Sequence, residues 1–255
     1  MTIITGNKGF IGTNLTNLTG WDGFDREKDI RDYGLMSEVL EPYDTVIHLA
    51  ALAGVGKSLE NESEYVDVNI NGTYNIARIC YEQGKRLIFA GSSSVYEAKS
   101  PYARTKQGCE DIINAFVRHG LNACILRFFT VFGEHNRKDM AVYKFTQAIR
   151  RGETIPVFGN CQRDFTYVQD LCKAIREITG MDITGTHDLG FGKPMSVIQL
   201  IQYLERDIGK EALFQSCEQR DYDAVMTCAD NKLMKWLGVQ QTPFNIAIRN
   251  TLRTI

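Results

Sequence analysis

The chain has 255 residues, 44% hydrophobic and 24% charged, with Gly 22 and Pro 5; this supports a sizeable globular core and excludes disordered, fibrous and low-complexity classes. Lys+Arg 29 against Asp+Glu 31 gives a formal charge of -2 with both signs interspersed, so no electrostatic footprint for nucleic acid or an anionic membrane is expected, and any phosphate must be bound locally. No apolar run approaches the ~18 residues of a membrane span, and a polar stretch over residues 5–8 interrupts the N-terminus, so neither a span nor a signal peptide is expected.

The seven cysteines (Cys80, Cys109, Cys124, Cys161, Cys172, Cys217 and Cys228) are odd in number and scattered, without a C-x-x-C pair or histidines at metal-ligand spacing. They read as reduced, small core residues of a cytoplasmic protein, with no metal site.

Along the first half, short apolar runs at 2–5, 45–50, 86–91 and 123–129 alternate with helix-length amphipathic stretches at 11–18, 65–83 and 101–119. This order predicts right-handed βαβ units in an α/β fold, a doubly wound parallel sheet covered on both faces. After about Gly133 the rhythm loosens into a helix at 141–151, a turn-rich stretch at 152–160, a helix at 196–208 and a mixed tail. The expected division is a dinucleotide-binding domain over 1–135, with a returning segment near 160–190, and a smaller C-terminal substrate lobe mainly over 136–255.

Gly6, Gly9 and Gly12 follow the first strand and open the first helix, the setting in which a tight turn brings a pyrophosphate to a helix N-terminus. Their G-x-x-G-x-x-G spacing is a variant of the usual fingerprint, and three glycines alone are weak evidence. Asp25, after Gly23-Phe24, stands where an acidic side chain holds a ribose hydroxyl, although the interval from Gly12 is short and Asp22 competes for the role. Lys8 and Arg26 are placed to meet a 2'-phosphate, but a carboxylate there repels it, which favours NAD over NADP.

Tyr102 and Lys106 stand four apart after Ser100-Pro101, an N-cap followed by proline at the first helical position. They share a helical face, and a nearby ammonium lets a tyrosine, with its reference pKa of about 10, work as a base. A bare Y-x-x-x-K is more often a solvated helix face. Upstream, Ser92, Ser93 and Ser94 follow an apolar strand, and hydroxyls at a strand's carboxyl end are where α/β proteins hold ligands. A serine run by itself is usually a turn.

With these features the chain resembles the extended short-chain dehydrogenase/reductases, in their nucleotide-sugar epimerase/dehydratase branch, over nearly its whole length. The likeness rests on the three glycines; Asp29-Ile30-Arg31-Asp32; His48-Leu49-Ala50-Ala51; Asn69 with Gly72-Thr73; Ser92 to Tyr96; Tyr102 to Lys106; and, further on, residues 126–133, 163–168, 220–223 and 229–230. The resemblance implies a Rossmann-type fold and assigns NAD to Gly6, Gly9, Phe10, Ile11, Gly12, Asp25, Asp29, Ile30, Leu49, Ala50, Ala51 and Asn69, with Tyr102 and Lys106 at its reactive end. It implies Ser92, Tyr102 and Lys106 as catalytic residues. It further implies a UDP-sugar held by Ser92, Ser93, Ser94, Thr130, Phe158, Arg163, Arg220 and Asp223, the two arginines gripping the diphosphate. Homodimer formation through the helices at 65–83 and 101–119 follows from the same analogy.

Dehydratases of this branch carry Asp-Glu after the catalytic hydroxyl and the related uronate decarboxylases carry Glu, whereas this chain has Ser93 and Ser94. Without that carboxylate an elimination lacks its general acid, which favours 4-epimerisation through a transient 4-keto sugar. Thr130 and residues 137–141 resemble the UDP-glucuronate 4-epimerase pattern more than that of enzymes for neutral UDP-hexoses. Two departures stand against the family pattern: Tyr102 lies only ten positions after Ser92, and Glu97 replaces a common glycine. The alternatives are a net reductase, a dehydratase or decarboxylase of the same family, and a non-catalytic nucleotide-sugar or NAD binder.

Overall fold

The structure, a computed structural model, describes residues 1–255. The chain divides into two compact units, residues 1–128 with 175–187, and residues 129–174 with 188–255.

In the first unit the order is β1 (Thr2–Thr5), α1 (Phe10–Thr19), β2 (Asp22–Phe24), α2 (Tyr33–Leu40), β3 (Thr45–His48), α3 (Val55–Ser58) and α4 (Glu62–Tyr65). A π-helical turn (Val66–Asn71), α5 (Gly72–Glu82), β4 (Arg86–Ser92), a 3-10 turn (Ser93–Tyr96), α6 (Pro101–Val117) and β5 (Ala123–Phe128) follow. The strands β2-β1-β3-β4-β5 lie side by side with parallel pairing, and β9 (Gly185–Leu189) completes a six-stranded sheet. Leu87, Ile88, Phe89, Ala90 and Gly91 of β4 are all buried, as expected of a strand covered on both faces. Because β2 and β3 flank β1, the winding reverses there, and ligands of such sheets sit beyond the carboxyl ends of the strands at that point.

Local chemistry sets the helix ends. Helix α1 stops at Gly20, whose φ of 69° lets its N–H reach Thr16 O at 2.8 Å. Helix α6 starts at Ser100, whose hydroxyl accepts from Ala103 N at 3.2 Å ahead of Pro101.

The second unit contains β6 (Thr130–Phe132), α7 (Ala141–Arg151), β7 (Ile155–Phe158) and β8 (Gln162–Tyr167), after which α8 (Val168–Thr179) and β9 lead back through the first unit. Then come β10 (Pro194–Ser196), α9 (Val197–Ile208), β11 (Phe214–Cys217), α10 (Lys232–Trp236) and α11 (Phe244–Leu252). Two small sheets result, β10-β8-β6 and β11-β7. Phe132, Phe165, Tyr167, Tyr203 and Phe244 pack ring on ring, Phe132 and Phe244 with centroids 5.0 Å apart.

Several expectations are corrected. The helix over 65–83 is not α-helical throughout: Val66–Asn71 form a π-helical turn within it, and Asn69 O there accepts from the Cys109 thiol at 3.1 Å. The region 152–160 contains strand β7, which the turn residues around it obscured. Cys228 is exposed and Cys217 half-buried, so only the other five cysteines are core residues. Asp22 begins β2 and takes the Tyr43 hydroxyl at 3.0 Å, while Asp25 lies beyond the carboxyl end of that strand.

Candidate active site

The glycine turn between β1 and α1 is a close-packed cradle. A Cβ on Gly12 would lie 2.1 Å from Gly6 O, and one on Gly6, whose φ is +75°, would lie 2.8 Å from Ala50 N. Only glycine fits either place. Gly9 caps α1 without a side-chain hydrogen bond, and no acidic residue occupies the first turn, so the positive end of the helix dipole is left for an anion. The turn therefore fits a dinucleotide pyrophosphate.

At the end of β2, the Asp25 carboxylate accepts from Lys8 N at 3.2 Å and Arg26 N at 2.8 Å. The Lys8 ammonium pairs with Glu27 at 3.1 Å, so that cation is already matched by a carboxylate. Asp29 is gripped by Arg31, whose hydrogen bonds hold its carboxyl below the usual range, and Arg31 also reaches Asp67 at 2.5 Å. Ile30 is buried against Gly72, where a Cβ would come within 2.4 Å of its Cδ1. Phe10, Ile11, Leu49, Ala50 and Ala51 are half-buried around the same turn and the end of β3.

Behind this segment lies a buried relay absent from the sequence reading. The Thr5 hydroxyl accepts from Ala50 N at 3.1 Å and meets His48 Nδ1 at 2.7 Å, while His48 Nε2 meets Thr73 Oγ1 at 3.1 Å. Burial, with the Lys106 charge adding to it, pushes the His48 pKa down to about 3. The imidazole is neutral and serves as a fixed hydrogen-bonding bracket.

Tyr102 and Lys106 project from the first turns of α6. The Lys106 ammonium, 4% exposed, donates to Ala90 O at 2.8 Å and lies 4.7 Å from the Phe89 ring centroid. Tyr102 is half-buried, with the edge of Tyr65 against it at 6.4 Å between centroids. Tyr65 in turn donates its hydroxyl to Ala53 O at 3.1 Å. The Ser92 and Ser94 hydroxyls are hydrogen-bonded at 2.9 Å, and Ser92 caps the 3-10 turn; Ser93 is half-buried beside them. Asn69 is wholly engaged in structure: its amide bonds Leu52 N, Leu52 O and Thr105 Oγ1 at 2.8, 3.0 and 3.0 Å. It thereby ties the segment after β3 to α6.

Within the second unit, the Arg220 guanidinium lies 3.5 Å from the Phe158 ring centroid, and Asp223 is 3.9 Å from it. These three predicted residues come together. Thr130, half-buried, opens β6 and pairs in register with Phe165. Arg163 is on β8 and donates to Gln162 O at 2.9 Å. Its neighbour Asp164, fully buried and not foreseen, accepts from Gly192 N at 2.7 Å and Ala229 N at 3.0 Å, joining three chain segments through one carboxylate.

Residues 2–182 match the family model described as "NAD dependent epimerase/dehydratase family". The chain is 36% identical to a UDP-glucuronate 4-epimerase of Thermodesulfobacterium geofontis, over 82% of this chain and 72% of that protein. It is 31% identical to UDP-glucuronate 4-epimerase 3 of Arabidopsis thaliana, over 80% of this chain and 64% of the plant protein. Among solved structures it superposes on MoeE5 in complex with UDP-glucuronic acid and NAD, with a TM-score of 0.90 and 27% identity over 99% of this chain and 98% of that one.

Proposed function

Because the chain belongs to the NAD dependent epimerase/dehydratase family, we propose that it is a UDP-sugar 4-epimerase acting by transient oxidation at C4, with UDP-glucuronate preferred. The observation that carries this reading is the pair of hydroxyls on Ser92 and Ser94, 2.9 Å apart, with serine also at position 93 and no carboxylate in the turn. Hydroxyls orient a sugar and share a proton, but they do not supply the acid that dehydration needs. The names of the relatives and the UDP-glucuronic acid bound by MoeE5 support the same substrate class.

NAD, held by the glycine turn and Asp25, supplies a hydride acceptor and donor at C4. The chain's own residues do the proton work. Tyr102 takes the proton of the 4-hydroxyl and returns it; Lys106, four residues on, brings an ammonium to the same helix face. Ser92 donates to the oxygen at C4, and Ser93 and Ser94 offer hydroxyls to the C6 carboxylate of a uronate. Arg163 and Arg220 hold the diphosphate, and Phe158 lies against the nucleotide base.

A second copy of the chain is the proposed partner. Val66, Tyr74 and Tyr81 are 50%, 43% and 42% exposed, and the two tyrosines flank Phe116 at 5.9 and 5.6 Å, so α5 and α6 present an aromatic face of the kind that dimers cover. The cytoplasm is the proposed location, supported by seven cysteines without a disulfide; no helix is long and apolar enough to cross a membrane.

The test is proton NMR of the purified protein with NAD and, separately, UDP-glucuronate, UDP-glucose and UDP-N-acetylglucosamine. The expected result is a new C4-epimer signal set, strongest for UDP-glucuronate. No conversion of any of the three by protein shown to bind NAD overturns the reading.

A further inference from the structure

Helix α6 carries a third polar side chain at the spacing that joins Tyr102 to Lys106. Glu110 follows Lys106 by four residues, so all three lie on one face. It is 4% exposed, and a carboxylate so buried persists only when it is paired and hydrogen-bonded. Its partner is Arg127 of β5, which donates from Nη2 to Oε2 at 2.7 Å and from Nε to both oxygens at 3.2 Å. Gly91, opposite Arg127 in the β4–β5 ladder, leaves the room this requires: a Cβ there would lie 3.0 Å from Glu110 Oε1 and 3.3 Å from Arg127 Cγ.

The same guanidinium lies over the ring of Tyr96, 4.8 Å from its centroid. Tyr96 is the last residue of the 3-10 turn that Ser92 caps, it is 57% exposed, and its hydroxyl also accepts a hydrogen bond from the Arg127 guanidinium. The covalent route from the turn to α6 is short and passes through Ala98 at φ +47°, a left-handed conformation that costs an L-residue energy and persists only where its surroundings enforce it. Two ties therefore join the serine turn to the helix bearing Tyr102: a strained four-residue link, and the chain of contacts Glu110, Arg127, Tyr96.

We propose that Arg127 is a positioning residue, clamping the Ser92–Ser94 turn at a fixed offset from Tyr102 and Lys106. The inference rests on those residues being the catalytic set. Arginine suits the task because one planar group forks onto a carboxylate and stacks on a ring at the same time, which lysine does not do. A turn released from the clamp still folds and binds, but its hydroxyls lose their alignment, and the loss appears in turnover.

The experiment compares Arg127→Lys, Tyr96→Leu, Tyr96→Phe and Tyr102→Phe in full-length protein loaded with NAD, measuring kcat, KM, the NAD dissociation constant by calorimetry and the thermal midpoint. Arg127→Lys and Tyr96→Leu are expected to lower kcat about tenfold or more, with KM and NAD affinity within about threefold of the parent. Tyr96→Phe, which keeps the ring, is expected to lose about fivefold less than Tyr96→Leu. If Arg127→Lys fails to fold, Tyr96→Leu, at an exposed position, decides alone. The clamp is overturned if kcat in Tyr96→Leu stays within about twofold of the parent while Tyr102→Phe is inactive, or if kcat falls only in step with NAD affinity and thermal midpoint. Full activity of Tyr102→Phe overturns the catalytic reading beneath it as well.

Discussion

The ammonium of Lys106 donates to the carbonyl oxygen of Ala90 at 2.8 Å, fixing a buried cation between the first turns of α6 and the carboxyl end of β4. Lys106→Met removes the charge and leaves Ala90 O without this donor. Steady-state kinetics should show turnover reduced by about a hundredfold or more, the scale of a lost contribution to acid–base catalysis.

Close backbone packing in the glycine turn separates two alanine substitutions. Gly12→Ala places a methyl 2.1 Å from Gly6 O, so the turn must open; a loss of roughly 1–3 kcal/mol in unfolding free energy and of NAD binding is expected. Gly34→Ala in α2 meets nothing closer than Asp32 Oδ1 at 3.6 Å. It should stabilise by roughly 0.5–1 kcal/mol and leave NAD binding unchanged. Denaturant titration and calorimetry read both.

The proposed cofactor-binding role of Asp25 sets a test of cofactor choice. The Lys8 ammonium is paired with Glu27, which leaves the Asp25 carboxylate to repel a 2'-phosphate. Asp25→Ser with Arg26 intact should raise affinity for NADP relative to NAD by about tenfold, measured by competitive binding.

His48 gives a pH signature. Its folded pKa, about 3, lies below the unfolded value of about 6.5, so the unfolded chain binds the extra proton. Stability is full above pH ~6.5 and falls as pH drops toward 3, with a slope approaching about 1.4 kcal/mol per pH unit from this one group. The other three histidines are not buried. Denaturant unfolding between pH 7 and 5 should show this slope in the parent and lose it in His48→Gln.

The parallel sheet and its helices were legible because burial on both faces writes continuous apolar runs, and β1, β3, β4 and β5 fall within two residues of those runs. Ser100-Pro101 marked the start of α6 for the same local reason that it caps the helix. The π-helical turn was invisible, since the hydrophobic spacing of 65–83 is nearly unchanged by one inserted residue, and the contacts its Asn69 makes, with Cys109 and Thr105, lie on a distant segment. His48 and Asp164 stand in segments that carry the resemblance, but their buried roles, like that of Glu110, were not read, because a polar side chain announces burial only once its partners, far along the chain, are known. Glu110 alone carried a local signal, its four-residue spacing from Lys106.

The central claim, oxidation at C4 followed by return of the same hydride, is tested most directly with UDP-glucuronate deuterated at C4. Incubation with the NAD-loaded protein in ordinary water should yield the 4-epimer with deuterium retained at C4 in both substrate and product. Washout of the label into solvent, or product formed only when external NADH is supplied, contradicts it.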